Sequence, residues 1–307
     1  MTPSSSGILV VDKSGGATSF DAVALARKRL GVRRIGHAGT LDPEATGVLP
    51  LLVGEATKLM PYLMEHDKEY VSTVRFGITT DTHDLSGRVL STTPVMDLTR
   101  ERLEATCRAF VGRIRQRPPM YSAVHHEGRR LYELAREGAE VERPPRDVEV
   151  HTIEVQNVDA PRATLRIVCG KGTYVRVLAA DIGAALGVGG AVDRLTRTRV
   201  GPFELSAALA WRELEAASAT VLWAHVLPPD AGLAHLPAAS LDAAGVRRFV
   251  HGQPADVTAP LTAGALVRVY DGDGVLLGVG EVAPGGAGVR PVRMVHADRP
   301  GSSVRPA

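Results

Sequence analysis

From Gly7 to Asp12 the chain is almost wholly apolar, which predicts a short buried strand, and the turn Ser14 to Ser19 follows it directly. Thr18 and Asp21 stand at capping-box spacing, and Phe20, Val23, Ala26 and Leu30 recur at helical intervals until Gly31 closes the segment. Glu69 to Gly77 alternates apolar with polar residues and predicts a half-buried strand. Leu103, Cys107 and Phe110 mark the buried face of another helix, which places Cys107 in the core. Val148 to Val155 and Thr164 to Cys169 alternate again, and Leu178 to Leu186 predicts a helix stopped by Gly187. Strands and helices do not repeat in regular pairs. The pattern therefore predicts an α+β fold, a mainly antiparallel mixed sheet flanked by helices, in place of a doubly wound parallel sheet.

Between Leu227 and Ala239 the proline, alanine and glycine content rises and periodicity fades, which marks a linker. Beyond it, Ala265 to Tyr270, Val275 to Val282 and Val289 to Val295 predict short strands separated by DGDG and PGGAG turns, the pattern of a small β-barrel-like domain. The division is a first domain over 1–229 and a second over 238–296. The first six residues and 297–307 are expected to be disordered tails.

Composition narrows the partners. The chain has 307 residues, 44 % of them hydrophobic, enough for a sizeable core. Cys107 and Cys169 are its only cysteines and form no CxxC pair, so neither a disulfide framework nor a zinc site is expected, which suits a reducing cytoplasm. The opening MTPSSS lacks a secretory pattern, and no apolar run approaches the roughly 18 residues that span a bilayer. A soluble, unanchored cytoplasmic protein is expected. Net charge is 36 − 34 = +2, a weak cue, but its distribution is uneven. Arg27, Lys28, Arg29, Arg33 and Arg34 fall between Ala22 and Leu41 without an acid, and five arginines from Arg113 to Arg130 face Glu127 alone. Such runs are solvated faces or tracks for phosphates.

The richest stretch for chemistry is Gly36 to Pro50, GHAGTLDPEATGVLP. Gly36, Gly39 and Gly47 permit close backbone approach, Pro43 fixes the turn after Asp42, and Thr40 and Thr46 offer hydroxyls that tie the loop. Such a loop holds a side chain still. Asp42 is either a turn-starting acid or a catalytic carboxylate, and local composition leaves both readings open.

The wider sequence resembles the TruB family of tRNA pseudouridine synthases. GILVVDKSGGATS from Gly7 leads into the GTLDP loop, and LLVGEATKL, KEY, PPMYSAV, LYELAREG and GKGTYVRVLAADIG follow in family order through Gly183. The resemblance implies isomerisation of uridine 55 in the TΨC loop of tRNA, with Asp42 as the catalytic residue and the tRNA elbow as partner. That reaction breaks an N-glycosidic bond, turns the free uracil and rejoins it through carbon, so it needs no metal and no organic cofactor. The resemblance makes Arg176, in TYVR, the partner that lowers the acid's pKa and fixes its direction. It makes Tyr70, in KEY, the aromatic platform for a base extruded from the RNA stack. Tyr174 and Leu195 match further pocket positions, and His37 matches a histidine that fills space vacated by flipped bases. Lys13 and Asp81 are candidates to support the loop or the RNA. The segment 117–146 corresponds to a flexible RNA-gripping thumb, and the second domain resembles a PUA RNA-binding domain. Apart from the resemblance, Tyr70, Tyr174 and Leu195 read equally as core, and Arg176 as a surface residue near a strand.

Two positions depart from the family pattern. His125 stands where a lysine usually follows YSAV, and Ser14 where a proline usually follows DK. No obligate protein partner is expected. Two other functions are compatible with these residues: a tRNA-binding or folding module with incidental catalysis, and a nucleoside hydrolase that uses the same carboxylate.

Overall fold

The computed structural model describes residues 6–295 apart from 123, 124, 127 and 140. The tails expected at 1–5 and 297–307 lie outside the described residues, as do parts of the thumb segment. Ser6 is described, and it is buried with its hydroxyl accepting the Glu55 N–H at 2.9 Å.

Two sheets carry the fold. The larger is mixed but mostly antiparallel, in the order Leu209–Ala210, Gly7–Lys13, Thr46–Val53, Gly190–Val200, Lys68–Phe76, Arg162–Cys169, Arg146–Asp159 and Gly112–Gln116. Gly7–Lys13 and Thr46–Val53 are nearly continuous apolar runs because both of their faces are covered, and they pair in register from Gly7 with Val53 to Lys13 with Gly47. Lys68–Phe76 alternates between buried and half-buried positions, as its sequence predicts. Its register sets Tyr70 opposite Ile167 on one side and Arg197 on the other.

The helix Ser19–Leu30 has the predicted capping box: the Thr18 hydroxyl accepts the Asp21 N–H at 3.0 Å, and the Asp21 carboxylate accepts the Thr18 N–H at 2.8 Å. Gly31 ends it in the left-handed region at φ 70°. One expectation for this helix fails. Phe20 is 63 % exposed beneath the Arg27 guanidinium, 5.9 Å from its ring, and the smaller Ser19 and Ala22 occupy the buried face. The helix Arg100–Arg108 buries Leu103 and Cys107 as predicted but ends before the half-buried Phe110.

The smaller sheet runs Ala238–Ser240, Leu266–Tyr270, Leu276–Val282, Gly288–Met294 and Ala255–Asp256, a curled half-barrel of PUA-like character. It does not hang on a free linker. Leu233 and the second sheet's Leu276 and Val279 pack into one apolar cluster with Ile8, Val10, Leu59 and Leu63. Ile8 and Leu227 exchange backbone hydrogen bonds at 2.9 and 2.8 Å, and the Tyr270 hydroxyl donates to Asp230 at 2.6 Å. A side chain at Gly7 would strike the Leu227 carbonyl at 2.3 Å, so that strand must begin with glycine. The proline- and alanine-rich segment expected as a linker is held against the first strand at Leu227.

This packing gives a measurable expectation. A chain ending after Pro229 uncovers Ile8, Leu59 and Leu63 and removes the Gly232 carbonyl that His66 binds at 2.7 Å. Several apolar side chains at about 1.5 to 3 kcal/mol each place its thermal midpoint roughly 10 °C below that of the full chain. Equal midpoints by scanning calorimetry would show that the cluster does not couple the two sheets.

Candidate active site

The loop between the strands Ile35–His37 and Thr46–Val53 carries Asp42, and every carbonyl from Gly39 to Pro43 has a donor. Arg197, 1 % exposed on the strand Gly190–Val200, donates from Nη2 to the Gly39 carbonyl at 3.0 Å, from Nη1 to Thr40 at 3.4 Å and from Nε to Val48 at 2.8 Å. The Ser19 hydroxyl accepts the Leu41 N–H at 2.9 Å and donates to the Leu41 carbonyl at 3.2 Å. Ala45 N–H donates to the Asp42 carbonyl at 3.1 Å. Lys13 Nζ donates to Pro43 at 2.9 Å, Ser14 at 2.8 Å and Ala17 at 2.6 Å. At Gly47, φ is 102° and a Cβ would lie 2.2 Å from the Arg197 carbonyl, so only glycine lets the two strands meet there.

Asp42 projects from this cradle onto Arg176. The arginine presents its edge: Nε donates to Oδ2 at 2.7 Å and Nη2 to Oδ1 at 3.0 Å. Its remaining N–H groups reach the carbonyls of Thr82 at 2.7 Å and Tyr121 at 2.8 Å, and the Asp84 carboxylate lies 3.6 Å from Nη1. The Arg176 side chain is 5 % exposed and that of Asp42 36 %, so the cation is sealed while the carboxylate faces open space. A sealed guanidinium is tolerated because its donors are matched, two of them to a carboxylate in fork geometry.

Helix geometry sets the position of Arg176. The helix runs Val175–Ala185, starting earlier than the predicted Leu178, so Arg176 lies in its first turn instead of beside a strand. Tyr174 caps the helix without a side-chain bond, and Gln116, 2 % exposed, takes over: its Oε1 accepts the Tyr174 N–H at 3.0 Å.

A cavity of about 100 Å³ opens at the pair, walled by Leu41, Tyr70, Tyr174 and Leu195. Burial pushes the Tyr70 phenol above its ordinary value, with Arg197 and a hydrogen bond from it pulling the other way. Burial also raises the Tyr174 phenol, opposed by Ser122. Asp42, Tyr70, Leu195 and the Tyr174–Arg176 turn thus come together from four separate segments. His37 is half-buried at the end of its strand and does not line the cavity.

Lys13 requires a correction as a substrate-binding candidate. It is fully buried, carbonyl oxygens surround its ammonium, and burial lowers its pKa to about 8 against the pull of Glu44 and Asp42. It supports the loop. Ser14 enters that support through its carbonyl, so the departure from proline leaves the contact intact. Asp81 accepts the Arg88 N–H at 2.8 Å in an exposed turn, and Asp84 is the acid beside Arg176. Arg197, Ser19, Gln116 and Asp84 are absent from the sequence reading, because nothing in their neighbouring residues sets them apart.

Among the described residues no group of three or more His, Cys, Asp or Glu side chains is placed to hold a metal, and no helix is long and apolar enough to cross a membrane.

Comparison with known proteins decides the family. The N-terminal domain model of TruB family pseudouridylate synthases matches residues 27–175, and two TruB C-terminal domain models match 176–234 and 237–295. The tRNA pseudouridine synthase B of Moorella thermoacetica is 47 % identical over 287 residues, covering 91 % of this chain and 94 % of that one. The chain belongs to the TruB family. The tRNA pseudouridine synthase B of Aromatoleum aromaticum is 44 % identical over 289 residues, covering 94 % and 92 %. Among solved structures, a Cbf5-Nop10-Gar1 complex matches at 26 % identity and TM-score 0.70 over 95 % of this chain and 84 % of that one. An archaeal box H/ACA sRNP Nop10-Cbf5 complex matches at 23 % identity and the same TM-score, covering 95 % and 86 %. The fold of the TruB family accounts for both sheets described above.

Arg197 offers a test of the cradle. Lysine keeps the charge but cannot reach three carbonyls with a planar fork. Arg197→Lys is expected to lower stability by about 1 to 3 kcal/mol and to loosen the loop, read as faster amide hydrogen exchange from Gly39 to Asp42. Unchanged exchange would show that the loop holds itself.

Proposed function

We propose that this chain isomerises uridine 55 to pseudouridine in the TΨC loop of tRNA, with Asp42 as the catalytic carboxylate. The observation that carries the reading is the Arg176 fork on Asp42, 2.7 and 3.0 Å, at the mouth of a small cavity with aromatic walls, in a TruB-family chain. The relatives named tRNA pseudouridine synthase B support tRNA as substrate, and the loop's ties support a carboxylate that must act from a fixed place.

The chemistry follows from these parts. The target uridine leaves its stack at a cost of a few kcal/mol, and stacking on Tyr70 returns about 1 to 3 kcal/mol of it. Asp42 acts on the nucleoside as nucleophile or base, the N1–C1′ bond breaks, the uracil turns within the closed space, and C5 bonds to C1′ as its proton leaves and N1 regains one. The formula is unchanged, so no redox partner enters. Arg176 aims the carboxylate and compensates its charge. Tyr174 and Leu195 hold the detached ring by contact, and His37 enters the space vacated by flipped bases. The thumb, 117–146, closes over the RNA, and the PUA-like domain, 238–296, adds contacts to the rest of the tRNA.

Product analysis with an unmodified tRNA transcript tests the reading. Pseudouridine at the TΨC position is expected. Free uracil would mean a hydrolase, and tight binding without either product would mean a binding module. Asp42→Asn keeps size but removes the charge and one of the two acceptors of the Arg176 fork, so conversion should fall below detection while tRNA affinity stays within about threefold. Substantial turnover by that variant would sink the assignment of Asp42.

Tyr70 separates stacking from hydroxyl chemistry. Tyr70→Phe keeps the ring, and Tyr70→Ala removes it. If the platform role holds, Ala loses about 1 to 3 kcal/mol of transition-state stabilisation beyond Phe, read from kcat/KM. Equal turnover by Ala and wild type would eliminate the platform.

A further inference from the structure

A second cavity, about 420 Å³, shares a wall with the candidate active site and plays no part in the chemistry above. Its lining includes His83, Arg115, Arg117, Arg143, Val177 and Asp181. Val177 follows Arg176 in the helix. His83 stands between Thr82, whose carbonyl binds Arg176, and Asp84, which lies 3.6 Å from the same guanidinium. The helix Val175–Ala185 thus contributes to both cavities, and His83 lies between two residues that contact Arg176.

The charges around it do not cancel. Along the strand Gly112–Gln116 and its continuation, Arg113, Arg115 and Arg117 alternate onto one exposed face. Arg113 is neutralised by Asp147 at 2.6 Å. Arg115 and Arg117 have no hydrogen-bonding or ion-pair partner among the described residues, and these two are the ones that line the cavity. Arg143 is steered inward by its bond to the Pro118 carbonyl at 3.2 Å. Asp181, in the same lining, is half-buried, and burial alone raises its pKa, with no cation offsetting the rise. No arginine lies within 4.0 Å of it among the described residues.

His83 adds a third kind of surface. Among the described residues it is the sole non-glycine with positive φ, 63°, a conformation held by the Val192 N–H bond to its carbonyl at 3.0 Å. Such a conformation persists only where its surroundings hold it. Burial, with Arg176 and Arg143 nearby, pushes its imidazole below the ordinary value, so at neutral pH it is an uncharged planar ring.

We propose that this cavity is a ribonucleotide subsite: Arg115 and Arg117 take a backbone phosphate, Asp181 accepts the 2′-hydroxyl of the same nucleotide, and His83 faces its base. An anion alone satisfies only the arginines and leaves the carboxylate in the same lining without a donor. A nucleotide brings an acceptor for one wall and a donor for the other, and the cavity volume lies within the range of small-molecule sites. The occupant is an RNA residue close in sequence to the target uridine, and in this respect the proposal rests on the tRNA reading above.

The test uses the full chain with unmodified tRNA transcript and with transcripts carrying one 2′-deoxy substitution at each nucleotide flanking the target. The variants are Arg115→Gln with Arg117→Gln, Asp181→Leu and, as a control on the same strand face, Arg113→Gln, all checked for fold by circular dichroism. The paired arginine variant should raise Kd and KM about tenfold with kcat within about twofold, and flatten the slope of log affinity against log salt by roughly 0.7 per lost phosphate contact. Arg113→Gln should change each by less than about twofold, since its charge is already paired. One 2′-deoxy position should raise the wild-type KM about fivefold and cost Asp181→Leu nothing further, as expected when a hydrogen bond to a charged acceptor is already gone. If Arg113→Gln weakens binding as much as the paired variant, the arginines form a diffuse field and the subsite is overturned. If every 2′-deoxy penalty persists in Asp181→Leu, the ribose contact is overturned. Absence of pseudouridine from the wild-type reaction would refute the proposed function, while the Kd and salt comparisons would still decide the subsite.

Discussion

A guanidinium that is 5 % exposed sets the terms for the whole site. Removing such a cation from water costs several kcal/mol unless its donors are matched, so each partner of Arg176 is a demand on the fold. The Thr82 carbonyl requires the turn after residue 80, the Tyr121 carbonyl requires the base of the thumb, and the Asp42 oxygens require the loop ahead of Thr46–Val53. Three distant segments are thereby brought to one point. The carboxylate stays 36 % exposed because the arginine approaches from behind and leaves its other side to the cavity. An ion pair built this way is a poor stabiliser and a good aiming device.

Two further buried cations hold the loop from below. Arg197 donates to the Gly39, Thr40 and Val48 carbonyls and Lys13 to those of Ser14, Ala17 and Pro43, and neither lies within ion-pair distance of a carboxylate among the described residues. A carboxylate partner would satisfy either cation more cheaply, but it would leave the loop carbonyls without donors in a buried place. Spending cations on carbonyls fixes the backbone on both sides of Asp42. The rigidity of the GTLDP loop therefore comes from the first strand and from the strand Gly190–Val200 as much as from its own glycines and proline.

How much of this was legible in the sequence depends on how far apart the partners lie. Local rules read well: the Thr18 and Asp21 capping box, the Gly31 stop and the alternation through Lys68–Phe76 are all present, because each is decided within a few residues. Phe20 failed because helical spacing counts apolar positions without asking which residues are small enough to sit against Leu41 and its loop. The packing of the stretch after Leu227 against the first strand was likewise beyond composition, which does not report what a linker touches. Asp42, Tyr70 and Arg176 were reached through the family resemblance, and local chemistry alone left each of them open. Arg197, Gln116 and Asp84 escaped both routes. Arg197 meets Val48 across 149 residues, Arg176 meets Thr82 across 94, and Gln116 meets Tyr174 across 58, separations at which only the folded sheet supplies the information.

The sheet order explains why those long separations converge. Gly190–Val200 lies between Thr46–Val53 and Lys68–Phe76, so Arg197 has Gly47 on one side and Tyr70 on the other. Its backbone crowds the glycine, its guanidinium reaches under the loop, and the Tyr70 phenol lies within its hydrogen-bonding range. A shift of one residue in this register would turn Arg197 to the opposite face and leave the Gly39 and Val48 carbonyls empty. The register is fixed from far outside the site, by the apolar pairing of Gly7–Lys13 with Thr46–Val53 and by the cluster that ties Ile8 to the second sheet. Core packing that never touches the cavity thus determines where Asp42 points, and the ordinary hydrophobic pattern of the first strand is part of the site's geometry.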